Sequence, residues 1–241
     1  MKSLILIFIL SFVYIHSCWG LFNDGEVLTY EIRYGRLTAG EAKLEISKSE
    51  YRGQEVYVIR SLASTNSFFD KIFRVRDEIE SISIYDSFES LVFTKRLQEG
   101  KYRQHRIHQN FLQQNFSIYS SFRFGAGEWE EVRIEIPSTT YDLLSAFYMV
   151  RTRELEIGDV IDLPLTVDGK NYDASVKVLR KEKIKTVLGE IECLVVEPGL
   201  AGEAIFQQTG DIHIWLTNDE RKIPVLLQSK IIFGHFRAIL K

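Results

Sequence analysis

Apolar and polar residues alternate along most of this chain with a period of two. Leu28, Tyr30, Ile32 and Tyr34 are interleaved with Thr29, Glu31 and Arg33, and Ala42, Leu44 and Ile46 with Lys43, Glu45 and Ser47. Successive side chains of a strand point to opposite faces, so this alternation predicts strands with one dry and one wet face. Glycines between Gly35 and Gly40 mark the turn between the two runs. Similar runs cover 55–62, 74–85, 91–98, 102–111, 114–122 and 129–136, with turns at Arg52-Gly53, Gly100 and Gly125-Ala126-Gly127 and a stop at Pro137. In the second half Ile161, Leu163, Leu165 and Val167 lead to Asp168-Gly169, a strong hairpin signal, and Ala174, Val176 and Val178 return from it. Runs at 184–188 and 191–197 follow, then a break at Pro198-Gly199, a run at 211–217, a turn at Asn218-Asp219-Glu220 and a long stretch, 225–240, interrupted at Gly234.

One segment departs from this period. Leu143, Leu144, Phe147, Tyr148 and Val150 form a helical stripe over residues 139–151. Ser138, Thr139 and Thr140 offer capping hydroxyls, Asp142 stands three residues after Thr139, and Arg151 and Arg153 suit the negative end of the dipole. The expected fold is all-β: an antiparallel meander forming a curled sheet, barrel or sandwich, with this one short helix plugging a face or an end. With four prolines and no linker-like stretch, residues 21–241 read as one domain.

The first twenty residues belong to a different class. Met1-Lys2-Ser3 precedes the apolar run Leu4–Leu10, which continues through Phe12–Ile15 and closes at His16 and Ser17. A basic start, a short apolar stretch and small residues make a secretory signal peptide, and the run falls short of the about 20 residues a membrane span needs. Three outcomes stay open, in this order: cleavage after Gly20, lipidation of Cys18, and an uncleaved anchor. The expected location is the periplasm or the outer-membrane surface, with membrane association if Cys18 is lipidated or the signal is retained.

Charge and cysteine content narrow the partners. The net charge is −3 with both signs interspersed, which disfavours nucleic acid. Cys193 lies in a strand-like run, and without Cys18 it has no partner, so it is expected to be a small buried hydrophobe.

Several stretches resemble one bacterial envelope family, domain of unknown function 3108. They are Gly25–Tyr30 with Tyr34-Gly35 and Ala39–Ala42, then Val75–Glu80, Glu99–Tyr102, Tyr141–Tyr148 with Arg151, and Ile214–Asp219 with Ile223-Pro224. The resemblance follows nearly the whole mature chain in order. It implies an exported, largely antiparallel β domain and brings no established reaction, so no catalytic residue is carried over.

Few residues offer chemistry. In a strand, His105 and His108 fall on opposite faces, so one metal cannot easily take both, and we assign no metal, cofactor or catalytic set. Ser145 lacks the turn of a nucleophile elbow. Arg74, Arg76, Glu78 and Glu80 share a strand face that reads first as a solvated ladder and second as a polar wall facing a ligand. Asp77 sits out of phase on an apolar face and needs a partner, for which Arg96 or Arg151 is the candidate. Asp142 and Arg151 complete the structural polar set. The abundant aromatics point to core packing, with Tyr102, Trp129, Tyr148 and Trp215, together with Arg76 and Glu80, as candidates to line a groove for an acyl chain or a sugar. The leading expectation is a non-catalytic protein binding an envelope lipid or glycan. The alternatives are an assembly protein pairing through a sheet edge, and an enzyme acting on polysaccharide with carboxylates drawn from Asp77, Glu80, Glu99 and Asp142.

Overall fold

The computed structural model describes residues 22, 24–124, 127–201, 212–231 and 234–241. The signal segment, Cys18 and the proposed cut after Gly20 lie outside these residues. So do Gly125-Ala126 of the expected turn and the start of the run at 211–217.

The described residues form fourteen strands and one α-helix. The first half contains β1 (Glu26–Tyr34), β2 (Leu37–Tyr51), β3 (Gln54–Thr65), β4 (Arg76–Ile84), β5 (Ser90–Glu99), β6 (Tyr102–Phe111), β7 (Phe116–Arg123) and β8 (Trp129–Glu135). After the helix α1 (Leu143–Arg151) come β9 (Val160–Val167), β10 (Lys170–Thr186), β11 (Gly189–Ala201), β12 (Ile212–Thr217), β13 (Pro224–Ile231) and β14 (Gly234–Leu240). All pair antiparallel in one sheet of order β8-β7-β6-β5-β4-β3-β2-β1-β14-β13-β12-β11-β10-β9. Every strand therefore lies beside its neighbour in sequence except at one place. The first and last strands meet, with Tyr30 opposite Leu240, while β8 and β9 are the outermost strands among the described residues. Of the forms expected, the sheet takes the curled one, and hydrogen bonding does not close it into a barrel.

The chain between the two edges does not leave the sheet unattended. Ile136 N donates to Asn115 O (3.0 Å), Ser90 N to Thr140 O (3.0 Å), Tyr141 N to Pro164 O (2.9 Å) and Thr166 N to Tyr141 O (2.9 Å). Residues 136–141 thus tie β5 and the start of β7 to β9, and α1 follows directly.

The helix is pinned at both ends by buried polar groups. Asp142 is its N-cap, and its carboxylate accepts from Leu144 N (2.8 Å) and Ser145 N (3.0 Å), while Asp142 N donates to Ser145 Oγ (3.0 Å). The other carboxylate oxygen accepts from Ser81 Oγ of β4 and Ser90 Oγ of β5, both at 2.6 Å. This corrects the expected cap among residues 138–140: Thr140 Oγ1 instead meets Thr166 Oγ1 at 2.7 Å, because the segment before Asp142 is extended along β9. At the other end Arg151, with no exposed surface, pairs with Glu26 of β1 (2.9 Å) and donates to the carbonyls of Lys222 and Arg221 (3.1 Å each). Its guanidinium also lies over the rings of Phe22 and Tyr148.

Alternating strand faces build the core. Ile46, Ile59 and Phe93 from the first half meet Leu163, Leu165, Val176, Val196 and Ile214 from the second, with Tyr148, Met149 and Val150 of α1 between them. A second cluster gathers Cys193, Val195, Trp215, Ile223 and Val225 with Leu28, Tyr30 and Leu240. Cys193 is fully buried and unpaired, and burial pushes its thiol up to about 11, so it packs as a hydrophobe.

Other local expectations shift. The runs at 174–178 and 184–186 are one strand, β10, with a bulge between Val178 and Arg180, and Val187-Leu188 form the turn to β11. Pro198-Gly199 does not end β11, which continues beside β10 with Pro198 opposite Val176 and Gly199 opposite Ser175. Gly40 lies inside β2 rather than in the turn, where a Cβ would stand 2.0 Å from Ser64 O, so the β2–β3 approach there requires glycine.

Because Arg151→Leu leaves the buried Glu26 with only the longer contact to the half-exposed Arg221 (3.4 Å), it should cost about 3 kcal/mol of stability, measured by urea unfolding. Replacing both residues by leucine should recover part of that loss. Equal losses in the single and double variants would show that the pair itself is not the bolt.

Candidate functional site: an apolar cavity beside a polar interior

Beneath α1 the interior holds a cavity of about 380 Å³. Leu143, Leu144, Phe147 and Val150 form its roof, and Leu44, Leu163, Val176, Ile214 and Leu227 contribute to its walls. The space arises from residue size. Ala42, Ala146, Ala174 and Ala238 stand on the lining where a larger side chain would fill it. The polar side chains facing it are few, Ser61 and Tyr30, whose hydroxyl is already given to Pro224 O (2.8 Å), because Lys43 and Ser175 alternate with the inward Ala42 and Ala174 and fall on the other strand face. A space of this size with such walls suits an apolar chain better than a sugar.

The neighbouring interior of β4–β7 is polar, and the tip of the β9–β10 hairpin enters it. Asp168 at that tip pairs with Lys95 of β5 (2.7 Å) and Arg106 of β6 (2.6 Å). Burial alone would raise the Asp168 carboxyl, but Lys95 and Arg106 outweigh it and hold it below the usual range. Gly169 N donates to His108 Nε2 (3.0 Å), which leaves the ring proton on Nδ1, 3.0 Å from Ser117 Oγ. Only glycine fits at 169: its φ is +76° and a Cβ would lie 2.9 Å from the Tyr119 ring. Farther along the same face, burial raises the carboxyls of Asp77 and Glu99, which are hydrogen-bonded to each other. Asp77 also accepts from Gln98 N (2.9 Å).

The residues singled out in the sequence do not converge on either place. Asp77 has neither expected partner, since Arg96 pairs with Glu78 (3.2 Å) and Arg151 with Glu26. Arg76 is held by Asp70 (2.6 Å) and Glu80 by Arg60 (2.6 Å), each a partly exposed pair. Tyr148 is buried against Phe22 (5.1 Å), and Trp215 lies in the second core cluster. Tyr102 and Trp129 stand near one end of the sheet, Tyr102 bonded to Gln104 and Trp129 half-exposed against His105 and Phe122. Of the four carboxylates weighed for sugar chemistry, only Asp77 and Glu99 meet. Asp142 is spent on its serine and backbone donors. His105 and His108 lie on opposite faces, as a three-residue offset in a strand requires. Sequence reasoning missed Lys95, Arg106 and Asp168, and the alanine positions of the cavity wall. The one signal was the charged Asp168 beside a turn glycine.

The family described as "Protein of unknown function (DUF3108)" matches residues 29–241. No curated protein matches the chain. Among solved structures, the crystal structure of a beta-barrel-like protein of domain of unknown function DUF1849 from Brucella abortus is similar, with 9% sequence identity and a TM-score of 0.60. The match covers 89% of this chain and 94% of that one, and at such identity it speaks for the fold alone.

Burial pushes the His108 imidazole down to about 4, against the pull of Asp168. Between that value and the ordinary value near 6.5 the unfolded chain binds a proton that the fold does not, so stability falls as pH drops through this window. The expected loss from His108 is about 3 kcal/mol. Urea titrations at pH 7 and pH 4 should show a smaller pH-dependent loss for His108→Gln than for wild type. An unchanged difference would separate His108 from the acid sensitivity of the hairpin tip.

Proposed function

The chain belongs to the DUF3108 family, and from that premise we propose that it is an exported envelope protein that binds an amphipathic component without catalysis, holding an acyl chain in the cavity under α1. The observation that carries this reading is the apolar lining of a space of about 380 Å³. Sites for small molecules fall at about 300–1,000 Å³ and are mostly apolar with a few polar groups for orientation. Here Ser61, opposite Leu44 on the cavity face, is the polar group available to a headgroup. The same lining weighs against a glycan, which needs many hydrogen-bonding partners.

A second reading, assembly through a sheet edge, draws support from β8. Among the described residues it is an outermost strand with one neighbour, and all its side chains except that of Ile134 are exposed.

Native mass spectrometry of protein purified from the cell envelope should show an adduct of lipid mass. Ala42→Phe with Ala238→Phe should remove it by filling the cavity, at an overpacking cost of about 1–3 kcal/mol for each change, with circular dichroism unchanged. Wild-type protein that carries no lipid and does not take up a fluorescent fatty acid would rule the acyl-chain reading out.

A further inference from the structure

In an antiparallel meander alternate turns lie at the same end of the sheet. The turns β1–β2, β3–β4, β5–β6 and β7–β8 share one end, and β13–β14 joins them because Tyr34 of β1 stands opposite Phe236 of β14. Contacts link these tips into one rim. Gly35 N donates to His235 O (3.3 Å), Asn66 Nδ2 to Thr38 O (2.6 Å), Gly100 N to Arg74 O (2.7 Å) and Phe124 N to Arg103 O (3.3 Å).

The described residues of this rim expose large apolar side chains on separate tips. Leu37 stands on the first turn, Phe68, Ile72 and Phe73 on the second, and Phe124 and Trp129 flank the fourth, with Ile72 at 69% and Phe124 at 63% exposure. The opposite end of the same strands differs. Its turns at Arg52-Gly53, Asp86-Ser87 and Gln113–Asn115 carry no exposed large hydrophobic among the described residues, and the exposed apolar pair at that end, Val187 and Leu188, is confined to the β10–β11 turn of the other half. Charge follows the same division. The apolar rim exposes Arg36, Lys71, Arg74 and Lys101, with Glu128 and Glu130 as exposed acids. Two further acids near it are engaged elsewhere, Asp70 by Arg76 and Glu99 by the inward Asp77. At the far end of β2–β5 the exposed Glu50, Glu55 and Asp86 outnumber Lys48 and Arg52.

We propose that this rim docks on an anionic phospholipid surface, with Phe68, Ile72 and Phe124 inserted among the headgroups and Lys71, Arg74, Arg36 and Lys101 facing lipid phosphates. Apolar side chains on hairpin tips around one end, interleaved with cations, match a charged plane with an apolar layer just below it. This attachment needs neither a lipidated Cys18 nor a retained signal, and it stands apart from the acyl-chain reading of the cavity.

The test is amide hydrogen exchange on the full chain with vesicles of phosphatidylglycerol and phosphatidylcholine. Residues 66–74 and 100–103 should gain protection, while 52–54 and 113–115 should not. Lys71→Gln and Arg74→Gln should each weaken vesicle affinity about fivefold, and Phe68→Glu should abolish the protection with circular dichroism unchanged. Ala42→Phe, which narrows the cavity, should leave it intact. Equal exchange at both ends on vesicle-bound protein would mean tethering through residues 1–20 and would overturn the proposal, as would absence of vesicle binding. Protection of the same strength on pure phosphatidylcholine would overturn the assignment to an anionic surface.

Discussion

Arg151 is a guanidinium with no exposed surface, and the placement of α1 depends on it. A buried charge is costly unless it is paired and its remaining donors are used, and Glu26 with the carbonyls of Arg221 and Lys222 meets that requirement. Those partners come from the first strand and from the turn before β13, so one side chain joins the start, the middle and the late part of the fold. Asp142 does the same at the other end of the helix, drawing Ser81 and Ser90 of β4 and β5 to its carboxylate. Such contacts tolerate little displacement, because an unmade buried hydrogen bond costs about 1–3 kcal/mol.

This two-point fixation explains how a cavity survives in a protein interior. Interiors are close-packed, and apolar packing alone would draw the helix inward until the space closed. Here polar bolts at residues 142 and 151 set the height of α1, while Ala42, Ala146, Ala174 and Ala238 keep the walls short. The opening of the sheet between β8 and β9 is where the chain delivers the helix. The same interior that is apolar under α1 is polar at β5–β7, where Asp168 is clamped by Lys95 and Arg106, and the hairpin tip closes that region.

Much of this was legible in the chain and much was not, for identifiable reasons. Strand period exposes which face is dry, so residues 28–34, 42–46 and 161–167 could be read correctly. The N-cap was misplaced because hydroxyls at 138–140 satisfy the local rule equally well, and only the pairing of Tyr141 along β9 excludes them. Glu26 drew no attention, since nothing near it in sequence reveals a partner 125 positions away. Aromatic abundance did not locate a site. It cannot distinguish Tyr148, sealed in the core, from Trp129, half-exposed on an edge strand.

What the sequence determined by itself was local: a two-residue period, glycine at turns, one amphipathic helix, and an ordered set of motifs sufficient to identify the family. These follow from backbone geometry acting over a few residues. Tertiary structure alone decided that the sheet stays open between β8 and β9, that Asp77 meets Glu99 rather than an arginine, and that alanines from separate strands face one another across a cavity. Each of these depends on which distant residues come into contact, and burial and electrostatics take their values only from that contact.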